Sequence, residues 1–334
     1  MAILVMDMPQ VSVIIPTYNR QQAIIRTLGS LAQQSISSTD IQVVVVDDGS
    51  SSSLKQLEEL EFPFQLILIR QTNQGATRAR NLGADHSNGQ TIIFLDDDIS
   101  LNLQALESLN RHCALEEKAI VIGTLIIPDE IINQSSFASI FKRPVATQDG
   151  YIHYTQCMTG LLAIRRDDFF SLGQFQDPTG GWPNWDDVDF GYRAHLQGYK
   201  LLKCTEAVGQ HWDESLLSLE SSYNRLWQAS KSAARLFQVH PELQLEIRMF
   251  RDSLPIDLEQ DSISLVIRKL VRKASSTSAS LWVMERMVNW LEQIGSPLLL
   301  MRPLYRWILG GYIYRGYRAG EHELELVNST DGDE

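Results

Sequence analysis

Two runs near the amino end, Val11–Ile15 and Ile41–Val46, are rich in β-branched residues and too apolar on both faces for a solvated sheet. Strands buried on both faces of a parallel sheet read this way. Between them, Arg20–Gln34 carries Ile24, Leu28 and Leu31 at helical spacing and completes a β-α-β unit. The alternation continues through a strand at Gln65–Ile69, a helix at Ala76–His86, a strand at Thr91–Leu95 and a helix at Leu103–Leu115. It predicts an α/β fold, a Rossmann-like and mainly parallel sheet flanked by helices, with its ligand site at the carboxyl ends of the strands.

A further strand is expected near Ala119–Ile127, then a polar stretch, Asp129–Tyr154, and an apolar segment, Gly160–Ile164. A loop rich in Gly, Pro and Trp, Asp177–Trp185, leads into a helix over Val188–Gln197, and we read the loop as a wall on the acceptor side of the site. Leu201–Val208 has strand character. After His211 the pattern turns to long helices at Ser221–Val239, Pro241–Ser253, Ile263–Lys273 and Leu281–Ile294. The change places a boundary near residue 215, with a helical carboxyl-terminal region, 216–334, that ends in an acidic tail.

With 334 residues, 44% of them hydrophobic, the chain has enough apolar surface for a large core. A net charge of −12 disfavours nucleic acid, because neutralising phosphates needs a concentrated basic surface. Cys113, Cys157 and Cys204 are scattered and make no CxxC pair, which points away from a disulfide framework or a thiolate zinc site and towards a reducing cytoplasm. Met1–Gln10 lacks the run of a signal peptide, and no stretch has the roughly 18 apolar residues of a spanning helix.

The candidate chemistry lies at the ends of the expected strands. Asp47 and Asp48 follow one of them directly; carboxylates there can accept hydrogen bonds from a ribose or a base, and a turn or helix cap explains them equally. Asp96, Asp97 and Asp98 follow another. Three adjacent like charges repel unless a cation shares them, and Mg²⁺ or Mn²⁺ takes oxygen ligands of this kind; the other reading is a solvated turn. Asp186, Asp187 and Asp189 open a helix, where acids also serve as caps, and Arg193 is spaced to pair with Asp189. One of these carboxylates, beneath Trp182 and Trp185 as platforms for a sugar, would make a general base. His211, in Gly209-Gln-His-Trp-Asp213, is a structural histidine or a ligand.

Taken in order, Val11-Ser-Val-Ile-Ile-Pro-Thr-Tyr-Asn-Arg20, Val45-Val-Asp-Asp-Gly-Ser50, Asn73-Gln-Gly-Ala-Thr-Arg-Ala-Arg-Asn81, Phe94-Leu-Asp-Asp-Asp98 and Trp185-Asp-Asp-Val-Asp189 resemble the family 2 glycosyltransferases, GT-A-fold enzymes acting on nucleoside-diphosphate sugars. The match runs from Val11 to His211, about two thirds of the chain. It implies that residues up to 115 bind the nucleotide sugar and that 116–215 form the acceptor half. Pro16, Thr17 and Tyr18 would border the nucleotide, Asp48 would contact its base, and Arg78 or Arg80 would face base or diphosphate. Asp96–Asp98 would be the DxD site, with Asp98 the direct metal ligand, Asp96 or Asp97 at the ribose, and His211 a further ligand to Mn²⁺ or Mg²⁺.

By the same carry-over Asp187 would be the base of an inverting transfer, with Asp186 standing where the family usually has Glu. The Gln-x-x-Arg-Trp motif of processive synthases is missing from the chain, which implies single addition. The resemblance leaves open a UDP-, GDP- or dTDP-linked donor and a lipid-linked or glycan acceptor. A nucleotidyltransferase should carry a Gly-rich, Lys-bearing loop near the amino end, and Pro16–Arg20 is not one; a decayed, purely binding scaffold would have no need for so many clustered acids.

Leu265–Gly320 holds nine Arg or Lys against Glu285 and Glu292. Within it, Pro297–Tyr317 interleaves aromatics and arginines, as would a helix packed on the catalytic domain or a second subunit of a homo-oligomer, or a segment lying on the inner face of the plasma membrane. Of these the packed helix is favoured.

Overall fold

The computed structural model describes residues 9–52, 54–57, 59–142, 148–179 and 185–330. They form two compact units. The first draws on 1–128, 143–177 and 186–212, and the second on 129–142, 178–185 and 213–334.

In chain order the elements are β1 (Val11–Thr17), α1 (Gln21–Leu31), β2 (Ile41–Asp47), β3 (Gln65–Arg70), α2 (Ala76–Asp85), β4 (Thr91–Leu95), β5 (Ile99–Leu101), α3 (Ala105–Leu115), β6 (Ala119–Ile126), α4 (Asp129–Gln134), β7 (Gly150–Ile152), β8 (Leu161–Arg165), α5 (Arg166–Ser171), α6 (Asp186–Leu196) and β9 (Lys200–His211). Five helices follow: α7 (Leu219–Val239), α8 (Leu243–Glu246), α9 (Ile263–Ser275), α10 (Ser278–Gln293) and α11 (Leu298–Thr330).

Among the described residues nine strands make one sheet, ordered β3-β2-β1-β4-β8-β6-β9-β5, with β7 on β9. β3, β2, β1 and β4 are parallel, as the alternation of strands and helices predicts. Side chains alternate across the sheet, so Val11, Val13 and Ile15 join one core with Ile24 and Leu28 of α1, while Ile14 joins the other with Ala79 of α2 and Phe190 of α6. Each core removes one face of the same strands from water.

Several features of the sheet and its connections depart from the sequence expectation. β8, which takes up most of the apolar run Gly160–Ile164 and ends at Arg165, lies antiparallel between β4 and β6, since burial on both faces does not encode strand direction. β5 and β7 are three-residue strands, too short to show a period, and both pair antiparallel with β9. The stretch Asp129–Tyr154 contains α4 and a 3-10 turn at Ala138–Phe141 as well as β7.

In the second unit α7 and α11 make the most extensive helix pair. At Gly316 a Cβ atom would lie 2.3 Å from the Trp227 carbonyl oxygen, so this close approach of the two backbones requires glycine. Ser218, Ser262 and Thr277 cap α7, α9 and α10 by accepting backbone N–H hydrogen bonds. Phe137, Val288, Met301, Tyr305, Ile308 and Leu309 form a core, and all of the segment Pro297–Tyr317 after Pro297 belongs to a packed helix, α11. Pro241–Ser253 is not one helix, because Ile247 takes an extended conformation between α8 and a 3-10 turn at Arg248–Phe250. No helix among the described residues is long and apolar enough to cross a membrane.

Candidate active site

The loops that leave β1, β2 and β4 share one end of the sheet, and polar side chains lace them together. Asn19 sits in the left-handed region at φ 55°, which its short amide side chain tolerates. Its N–H donates to Ser50 Oγ at 2.8 Å, and its Oδ1 accepts from the Ser51 N–H at 2.8 Å. Pro16 and Thr17 close β1 and are buried, whereas Tyr18 is exposed.

Asp48 holds the loop that enters α2. Its Oδ1 accepts from Gln71 Nε2 at 2.7 Å and the Gln74 N–H at 2.8 Å, and its Oδ2 from the Gly75 N–H at 2.9 Å. Gly75 stands at φ 89°, where a side chain would be strained, and this turn aims two amides of the helix start at one carboxylate. From the same helix, Arg78 points to solvent and donates to Gln74 Oε1 at 3.0 Å. Arg80, two residues on, lies inside.

The Arg80 guanidinium bridges two candidate groups, reaching Asp96 Oδ1 at 2.9 Å and Asp186 Oδ2 at 3.3 Å. Its side chain is 9% exposed, and its Nε has no hydrogen-bond acceptor. Burial alone would lower its pKa, but Asp96 and Asp186 outweigh that and raise it, so Arg80 remains a cation. Thr77 Oγ1 also donates to Asp186 Oδ2, at 3.0 Å.

Asp97 accepts from Thr17 Oγ1 at 2.6 Å and from Arg20 at 3.2 Å. Burial, only partly offset by those two partners, pushes its carboxyl up to about 6. Asp98 behaves oppositely. Its Oδ2 pairs with Arg20 at 2.8 Å and its Oδ1 lies 3.3 Å from His211 Nε2. Burial would raise this carboxyl, but the imidazole and the guanidinium hold it below the usual range.

His211 reaches that position through the sheet, because the β5–β9 register sets it directly opposite Ile99, the neighbour of Asp98. The backbone continues the contact, with the Trp212 N–H donating to the Asp98 carbonyl at 2.9 Å.

Asp186 and Asp187 form the first turn of α6, which begins two residues earlier than the apolar spacing predicts. Asp187 Oδ1 accepts from the Val188 N–H at 2.8 Å. Burial first, then the charge of Asp186, pushes its carboxyl up to about 7, against the pull of that N–H and of Arg80. Asp189 pairs with Arg193 at 2.7 Å, as their spacing predicts.

Just before α6, Trp185 is held at φ 82°, a strained backbone for a bulky residue. Its Nε1 donates to the Ala229 carbonyl at 2.7 Å and its ring packs on Phe250, so it is a buried anchor and not the open sugar platform that the sequence suggests. Trp182 and most of the loop 177–185 lie outside the described residues.

The structure thus joins Thr17, Asp97, Asp98 and His211 around Arg20, and Asp96 and Asp186 through Arg80, while Arg78 stands apart. Sequence reading assigned no role to Arg20 or Thr77. The signal for Arg20 was electrostatic: three adjacent carboxylates require a counterion, and Arg20 is a cation in a loop at the same sheet end.

Asp98 and His211 fit a divalent cation. Asp98 Oδ1 is buried without a hydrogen-bond donor, and the imidazole nitrogen faces it. No three His, Cys, Asp or Glu side chains converge on one point among the described residues. Such a cation would therefore take the rest of its shell from water and phosphate oxygens, which is how Mg²⁺ is commonly held at phosphate sites.

Comparison with known proteins places the chain in a family. The family model described as glycosyl transferase family 2 matches residues 12–172. Validoxylamine A glucosyltransferase of Streptomyces hygroscopicus subsp. limoneus is 26% identical over 275 residues, which cover 72% of this chain and 58% of that protein; the chain thus spans under two thirds of that relative's length. Glycosyltransferase AglE of Haloferax volcanii is 30% identical over 220 residues, covering 61% of this chain and 67% of AglE.

Among solved structures, the mannosyltransferase PcManGT from Pyrobaculum calidifontis, in complex with GDP-Man and Mn²⁺, superimposes with a TM-score of 0.58 at 16% identity, over 94% of this chain and 87% of that one. That likeness shows a shared GT-A fold. With a relative 30% identical over two thirds of its length and the family motifs in order along one sheet rim, the chain belongs to the family 2 glycosyltransferases.

Proposed function

We propose that this protein transfers a sugar from a nucleoside-diphosphate donor to an acceptor hydroxyl, with inversion and by single addition. The observation that carries the reading is the division of labour among neighbouring acids. Asp98 is held ionised beside His211 and Arg20, while Asp187 is raised to about 7, near the pH at which a general base works best.

In this scheme Asp187 takes the proton of the acceptor hydroxyl while its oxygen bonds to the anomeric carbon. The bond to the diphosphate breaks on the opposite side, and the nucleoside diphosphate departs with the electron pair. Arg80 keeps Asp186 and Asp96 in register with the base, and Asp48 keeps the loop before α2 shaped to meet the nucleotide. A divalent cation on Asp98 and His211, when bound, would neutralise charge developing on the departing diphosphate.

The test is binding and turnover of UDP-, GDP- and dTDP-sugars, with Mn²⁺, with Mg²⁺ and with neither. One donor should bind in a metal-dependent way, Asp98→Ala should abolish that binding, and Asp187→Asn should keep it while losing turnover. Failure of every donor in every metal condition would sink the proposal.

A further inference from the structure

Helix α9 is built inside out. Ile263, Ile267, Leu270 and Val271 follow one another at helical spacing and all face outward, Ile263 being 82% exposed. The stripe turned inward holds Leu265, Lys269, Arg272 and Ser276. Lys269 is buried only because its Nζ finds the Pro255 carbonyl at 2.7 Å and the Asp261 carboxylate. A helix with its polar stripe inside and its apolar stripe outside is not fully covered within its own unit.

The neighbouring helices continue the pattern. α10 packs on both α9 and α11. It turns Trp282 (58% exposed), Met287 and Trp290 (59%) outward, Ile294 just after it is exposed as well, and α11 starts with Leu299 (78%) and Leu300 in the open. Cations accompany these side chains: Lys273, Arg286, Arg302 and Arg306 are exposed and make no ion pair among the described residues. The guanidinium of Arg286 lies over the Trp282 ring at 5.3 Å.

We infer that this face of α9, α10 and the first turns of α11 docks on an anionic lipid surface. Exposed tryptophans and aliphatics beside uncommitted arginines are the composition that inserts at a headgroup boundary and holds negative lipid. Charge decides against a second copy of the chain. A two-fold pairing of the face on itself would set its four cations against four more, and the two acids of α10, Glu285 and Glu292, are already engaged by the hydroxyls of Tyr312 and Tyr305. The inference is independent of the transferase reading.

The experiment is flotation of the full-length protein with vesicles of phosphatidylcholine alone and of phosphatidylcholine mixed with phosphatidylglycerol. Light scattering is read in parallel for self-association. Partition should be about tenfold or more higher on the anionic vesicles and should fall in high salt. Trp282→Ser with Trp290→Ser, and separately Arg302→Glu with Arg306→Glu, should each lose about tenfold while keeping the thermal unfolding of the parent. Partition that ignores lipid charge, variants that float like the parent, or a stable dimer that the tryptophan variant dissociates would each overturn the inference, the last by giving the face to a second copy.

Discussion

Nε2 of His211 stands 3.3 Å from Oδ1 of Asp98, although one closes β9 and the other precedes β5. If this pair holds a cation, removing either side chain should weaken it without unfolding the sheet. His211→Ala should raise the dissociation constant for Mn²⁺, read by paramagnetic resonance in the presence of a nucleoside diphosphate, about tenfold or more. An unchanged Mn²⁺ affinity would remove His211 from the ligand set.

The raised Asp187 carboxyl sets the acid limb of activity. kcat/KM should fall with unit slope below about pH 7, where the base takes up a proton. Asp187→Asn should lower kcat by about 10²–10⁴ and leave donor affinity within a few fold. A profile flat through that region would place the base elsewhere.

The same shift makes a stability prediction of opposite sense to activity. Between about pH 4 and about pH 7 the unfolded chain has released this proton and the folded one retains it, so stability falls as pH rises through that window. Asp187→Asn should therefore raise the melting temperature more at about pH 8 than at about pH 3, where both states largely hold the proton in the parent. An equal gain at both values would mean that Asp187 ionises normally in the fold.

Arg80 is the sole guanidinium shared by Asp96 and Asp186 among the described residues. Arg80→Met leaves those carboxylates facing each other without a counterion, and urea unfolding should show a loss of about 3 kcal/mol. Arg80→Lys should recover part of that loss, because an ammonium neutralises charge but does not span both acids.

Asp48 is tied to the backbone of the loop before α2. Asp48→Ala frees the amides of Gln74 and Gly75 and should cost about 1–2 kcal/mol in stability, with faster hydrogen exchange at those two positions. Unchanged exchange there would mean that the loop holds its shape without the carboxylate.

Much of this fold was legible in advance, for a definite reason. β1, β2 and β4 are buried on both faces, so each carries a central run of consecutive apolar residues that stands out against the amphipathic helices between them. What stayed hidden was whatever depends on partners distant in sequence. An apolar run such as that of β8 carries no mark of direction, and Ile99–Leu101 is three residues whose strand character comes from pairing with β9. The site followed the same rule. The acids announced themselves by clustering, but the contact of His211 with Asp98 depends on that pairing, and the split roles of Arg78 and Arg80 depend on which face of α2 meets the sheet.

One property of β2 has a wider reach. Val43 and Val45 enter one core while Val44 and Val46 enter the other, and four identical side chains fit either core equally well after a slip of one place. The apolar packing is therefore blind to the alignment of this strand. What distinguishes the correct alignment is polar: Ser12 Oγ donates to buried Gln42 Oε1 at 2.7 Å at one end, and just past the other end buried Asp48 accepts from Gln71 Nε2, which follows β3, at 2.7 Å. Hydrogen bonds at the two tips act as the key that seats the strand, and the residues that mark the rim for chemistry also tell the chain where to stop sliding.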